Sequence, residues 1–175
     1  MKSIRNTLLS SIILIIIFFT VIIYAHDDGQ KGRTRKDVPK QGCTCHGDDP
    51  DKSVKVVITG PDSLQANMQA TYTVTITGGP LKAAGTDIAV SKGKLSPTGS
   101  DLKLMAQELT HSAPKLPAGN SVVFKFIYTA PLTTGTETIY AMGNSVDLNK
   151  KKTGDMWNFA PDKSVVIGNA NMPKK

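Results

Sequence analysis

The chain from Val54 onward is patterned with a period of two. In residues 70–78, ATYTVTITG, Tyr72, Val74 and Ile76 fall on one face and Thr71, Thr73, Thr75 and Thr77 on the other. Strict alternation rich in β-branched residues predicts a half-buried strand. SVVFKFIYTAP, residues 121–131, repeats it, with Val122, Phe124, Phe126 and Tyr128 on one face and Lys125 on the solvent face. Further strands are predicted over 54–59, 86–91, 136–142 and 163–167. Turn signals separate them: Gly60-Pro61, Gly78-Gly79-Pro80, Ser96-Pro97, Pro117-Ala118-Gly119 and Thr134-Gly135. Residues 102–109 read as one or two helical turns, and no long amphipathic helix is seen. Many short strands at this spacing predict an all-β, immunoglobulin-like antiparallel β-sandwich preceded by a Cys-containing loop. The Cys pair and the Trp position of antibody domains are absent.

The N-terminus changes the picture of location. Lys2 and Arg5 precede residues 8–23, an almost unbroken run of Leu, Ile, Phe and Val. This is the pattern of an export signal, with Ala25 before the cleavage point. The run is short for a spanning helix, which needs about 20 residues. Residues 1–25 are therefore read as a signal peptide or N-terminal anchor, with membrane association through residues 4–23. Residues 26–52 form a polar arm carrying the Cys motif, 53–168 the sandwich and 169–175 a tail. The expected location is the periplasm, the cell surface or the extracellular space. The formal net charge is +7, and +5 once the first 25 residues are removed. On an exported chain that excess favours anionic surfaces or acidic protein partners, and nucleic acid is not expected. Lys150-Lys151-Lys152 reads as a solvated loop.

The chemistry is concentrated in QGCTCHGDDP, residues 41–50. Cys43 and Cys45 are the only cysteines, and His46 follows directly. A Cys43–Cys45 disulfide would close almost no loop and falls short of the usual Cα separation of about 5.5–6 Å. Ligation, covalent attachment or intermolecular pairing explains the pair better. In c-type cytochromes two thiols add across the haem vinyl groups and the next His ligates iron, usually as C-x-x-C-H. Here the spacer is one residue shorter, which strains a double linkage; a single thioether through Cys45 relieves it. His46 is the expected proximal ligand and His111, in THSAP, the expected sixth. Met105, Met142 and Met156 are the alternative axial ligands, with packing as their ordinary role. A redox partner protein follows from that function.

Other readings compete. Cys43, Cys45 and His46, with His111, suit copper or another soft metal. His26, as a mature N-terminus, could chelate Cu(II) together with His111. Without metal chemistry the chain would be a cell-surface adhesive or matrix-binding module. Trp157, the only Trp, is expected in the core. Asp147 and Asp155 lie on expected loops without calcium-site spacing. No hydrolase motif is present.

The order of GCTCHG at 42–47, THSAP at 110–114, VVFKFIYTAP at 122–131, ETIYAMGNSVD at 137–147 and TGDMW at 153–157 resembles a family of secreted bacterial proteins with a Reelin-type (reeler-like) β-sandwich. The resemblance covers roughly residues 41–168. In that family a Cys-x-x-Cys-His segment precedes the first strand. Members are often cell-surface proteins, so the resemblance implies fold and location more than activity. This chain departs by the shortened Cys spacing and by showing no C-terminal anchor.

Overall fold

The computed structural model describes residues 28–38, 42–151 and 153–169. Residues 1–27, 39–41, 152 and 170–175 lie outside the described residues, and with them the expected signal or anchor segment and His26. Strands β1 (Val54–Thr59), β3 (Gln69–Gly78), β8 (Val122–Thr129) and β5 (Lys94–Pro97) form one sheet in that order. The larger sheet runs β2 (Ser63–Gln65), β11 (Lys163–Gly168), β9 (Gly135–Val146), β4 (Ala83–Val90), β7 (Glu108–His111) and β6 (Leu102–Met105). β10 (Met156–Phe159) pairs with the second half of β9, whose first half pairs with β11. In the first sheet β1, β3, β8 and β5 occupy the A, B, E and D positions of an immunoglobulin sandwich; β4, β9 and β11 occupy C, F and G. The pairing is antiparallel except that β2 runs parallel to β11.

The predicted alternation builds the core. Tyr72, Val74 and Ile76 are fully buried, as are Phe124, Phe126 and Tyr128 from β8. They meet Ile88, Leu109, Ile139 and Val165 from the facing sheet. Burial of each such side chain contributes about 1.5–3 kcal/mol. The aromatic rings add directed contacts: Tyr72 stacks on Phe126 at 5.9 Å and meets Tyr128 edge-on at the same distance.

Residues 102–109 are not helical. They form the β6–β7 hairpin, turned by Ala106 and Gln107 at φ 47° and 74°. Positive φ at both central residues is the two-residue hairpin geometry. Leu102, Met105 and Leu109 are spaced like a helix face, but β7 pairs with β4 through Asp87–Thr110 and Ile88–Leu109. That ladder satisfies the backbone and overrides the weak local preference.

All eight residues of β4 are buried. A sheet covered on one face would bury alternate residues, so the second face is covered too. Residues opposite each other across antiparallel strands share a face, and Thr110, Asp87, Met142 and Phe159 therefore form one row across that second face. Gly85, Asn144 and Trp157 form the next. The polar arm lies over these rows. Gly32 N–H donates to Glu108 at 2.5 Å and Arg33 N–H to Asp87 at 2.7 Å. Arg35 bonds Ala160 O and Asp162, and its guanidinium sits 4.9 Å above the Phe159 ring. The fold is a two-layer sandwich with a third, irregular layer supplied by the arm.

Candidate functional site

The C-x-C-H loop closes this third layer. Gly42 packs flush on Trp157, where a Cβ would overlap the indole ring. Thr44–His46 forms a single 3₁₀ turn, closed by His46 N–H donating to Cys43 O at 2.8 Å. Trp157 Nε1 donates to Gly47 O at 2.8 Å, and Asp51 N–H donates to Trp157 O at 2.7 Å. Trp157 is 1 % exposed. It is buried as expected, but beneath the loop on the second face of the sheet, and it acts as the platform that holds the motif.

The turn sends its side chains in different directions. Cys43 is half-buried with its sulfur on Met142, Sγ to Sδ 3.8 Å. Cys45 is exposed. The His46 ring is largely covered and its Nδ1 lies 2.8 Å from Asp155 Oδ2. The other Asp155 oxygen accepts the Asp147 N–H at 3.0 Å, so the carboxylate is fixed from both sides. A carboxylate on one imidazole nitrogen sets ring orientation and tautomer, and leaves the other nitrogen as donor atom.

His111, the expected sixth ligand, sits at the end of β7 with its ring against Gly85. Its Nδ1 lies 3.1 Å from Thr86 N and 3.2 Å from Thr86 O. Of the three methionines named as axial alternatives, Met142 is the one in contact with a motif cysteine. Met105 Sδ accepts from Thr110 Oγ1 at 3.5 Å, and Met156 Sδ from Ser53 Oγ at 3.3 Å. Asp147 accepts from Asn149 within a local turn. Among the described residues no group of three or more His, Cys, Asp or Glu side chains is arranged to hold one metal ion.

Burial dominates the electrostatics. It pushes the Cys43 thiol up to about 12, with Arg33 opposing and Asp87, Cys45 and Asp155 adding to the rise. Cys43 is therefore a neutral thiol at ordinary pH. Burial, and then the neighbouring Glu108 carboxyl, push Asp87 up to about 8. The folded state thus holds a proton that an unfolded Asp would release near pH 4. Stability is lost as pH rises from about 4 through 8 on this account.

Asp155, the Asp87–Glu108 pair and the clamp made by Trp157 were not assigned these roles from sequence. His46 and Asp155 are 109 positions apart, beyond any motif spacing. The one local signal was the small, buried-looking run AAGTDIAV of β4, with a carboxylate in its middle.

No protein-family model matches the chain, and no curated relative matches it. Among solved structures, Escherichia coli alpha-2-macroglobulin activated by porcine elastase is similar in part, with a TM-score of 0.39 and 16% identity. The similarity covers 67% of this chain and 10% of that chain, so the chain spans about a tenth of the length of that protein.

Proposed function

We propose that the chain is an exported, c-type-cytochrome-like electron carrier, with haem joined to the C-x-C-H loop and His46 as the proximal ligand. The observation that carries this is the Asp155 carboxylate on His46 Nδ1 at 2.8 Å. In the neutral ring Nδ1–H donates to Asp155, and Nε2 is left as the iron ligand. The exposed Cys45 is the attachment point, because Cys43 is turned onto Met142. Cys45 would hold the haem by a thioether, its S–H adding across one vinyl group (sulfur to one carbon, the proton to the adjacent one) with no net redox change. Bound haem would supply the one-electron iron couple. Asp155 and Trp157 keep the loop and the His46 ring in one orientation during that cycle. His111, held by Thr86, is the candidate sixth ligand. The resemblance to Reelin-type sandwiches and the basic surface agree with an envelope location and an acidic redox partner.

The test is a pyridine-haemochrome spectrum on chain produced with a cytochrome c maturation system. The expected result is one haem per chain that survives acid–acetone extraction, with the α-band position of a single thioether. Cys45→Ser should abolish attachment and Cys43→Ser should retain it. Absence of haem from the unmodified chain under these conditions would overturn the proposal.

A further inference from the structure

The haem proposal leaves unused the two carboxyls beneath the arm. Asp87 of β4 is 1 % exposed and Glu108 of β7 is 7 % exposed. Asp87 is opposite Thr110, and Glu108 lies two residues before Thr110 on the same strand, so both side chains belong to the second face of the sheet. They are hydrogen-bonded to each other. Ionised carboxylates only accept, so that bond requires a proton on one of the two. The arm supplies further partners: Gly32 N–H donates to Glu108 Oε2 at 2.5 Å and Arg33 N–H to Asp87 Oδ2 at 2.7 Å. Consecutive backbone donors of one segment thus sit on the two members of one acid pair.

The surroundings do little to balance a second negative charge. On the same face β9 brings Met142 and Asn144, and β10 brings Phe159, none of them charged. β6 brings Lys103, opposite Thr110, and its ammonium is bonded to Asp28 of the arm. The arm brings Arg33, whose charge acts on Cys43, while Arg35 is bonded to Asp162 and Lys31 and Lys36 are exposed. The C-x-C-H loop brings Cys43, a neutral thiol, and His46, which is held by Asp155. His111, next to Thr110, has its ring nitrogen on Thr86.

We propose that the Asp87–Glu108 pair is a proton-operated latch for the arm: with a proton between them the two carboxyls hold residues 29–36 against the sheet, and its release to solvent as pH rises lets that segment lift. Proton binding and covering by the arm assist each other. Burial, and then the neighbouring carboxyl, hold the proton well above the ordinary carboxylate range. Water reaching the pair once the arm has lifted returns the proton affinity toward that range. By linkage the arm is held most firmly at acidic pH. Its hold weakens by up to about tenfold per pH unit between the ordinary carboxylate range and about pH 8, and levels off above it. The latch stands independently of haem attachment.

The experiment is hydrogen–deuterium exchange of the chain, read by mass spectrometry from about pH 5 to about pH 9. Dividing each rate by the intrinsic rate at that pH removes the ordinary base-catalysed rise. Protection of residues 29–36 should fall with pH by up to about tenfold per unit and level off above about pH 8. It should stay below that of β3, because lifting the arm does not require the sandwich to unfold. In Asp87→Asn the carbonyl still accepts from Arg33 N–H and the amide donates to Glu108, so the hold no longer needs a proton and the profile should flatten. Glu108→Gln does the same from the other side and carries the test if Asp87→Asn does not fold. Histidines ordinarily change charge over the same range. His46 and His111 remain in both variants, so a slope retained in both would assign it to them and overturn the latch. A pH-independent profile in the unmodified chain, or arm protection equal to that of β3, would overturn it too.

Discussion

The Asp155–His46 contact makes a prediction that separates stability from ligand chemistry. Asp155 Oδ2 takes the His46 Nδ1 proton at 2.8 Å and Oδ1 takes the Asp147 N–H at 3.0 Å, on a side chain 6 % exposed. A hydrogen bond to a charged group contributes about 1.5–3 kcal/mol and an ordinary one about 1 kcal/mol. Asp155→Ala removes both and strands two donors, so a loss of about 3–4 kcal/mol is expected, a large share of the 5–15 kcal/mol typical of a domain. Asp155→Asn is nearly isosteric. Its carbonyl can still accept from Asp147, so the cost falls to about 1–2 kcal/mol. Its amide, however, must donate to Nδ1, which moves the ring proton to Nε2 and blocks that nitrogen as a ligand. Urea unfolding followed by the fluorescence of Trp157 measures the first effect. Long-range ¹H–¹⁵N spectra of the His46 ring measure the second without haem or metal. An unfolding midpoint in Asp155→Ala equal to that of the parent, or a retained Nδ1–H tautomer in Asp155→Asn, would refute the reasoning.

Two further outcomes follow from the same loop. With Cys43 pushed to about 12 and turned onto Met142, its thiolate fraction at pH 8 is on the order of 10⁻⁴. Iodoacetamide at that pH should therefore label the exposed Cys45 well before Cys43, as read by peptide mass spectrometry; equal labelling of the folded chain would contradict the burial. Gly42→Ala places a methyl group inside the Trp157 ring, and overpacking of this kind costs about 1–3 kcal/mol. Near-ultraviolet circular dichroism and the urea midpoint should both shift, and an unchanged pair would show that the loop does not rest on the indole.

The alternating strands were legible because each reports its own burial: 54–59 and the Tyr72–Val74–Ile76 and Phe124–Phe126–Tyr128 faces match β1, β3 and β8. Short strands that depend on partners were not. Met156–Phe159 has no pattern of its own and is a strand because β9 extends far enough to pair with it. Residues 102–109 carry helix-like spacing that only the ladder to β4 corrects. The motif Cys43, Cys45 and His46 announces itself by adjacency. What surrounds it comes from β4, β9 and the segment after it, through contacts that span about a hundred positions and leave no local trace.

That separation has a consequence for the order of events as the chain is made. His46 precedes its partner Asp155 by 109 positions, Cys43 precedes Met142 by 99, and Gly47 precedes Trp157 by 110. At about 5–20 residues per second of synthesis, the nascent loop waits at least roughly 5–20 s before the surface that will cover it exists, and an exported chain waits longer, until translocation is complete. During that interval Cys43 and Cys45 are equally open to solvent, oxidants and any modifying enzyme. Docking then divides them, one turned onto Met142 and one left outside. Chemistry at Cys43 is fastest before docking, whereas Cys45 stays open to attachment after the domain has folded.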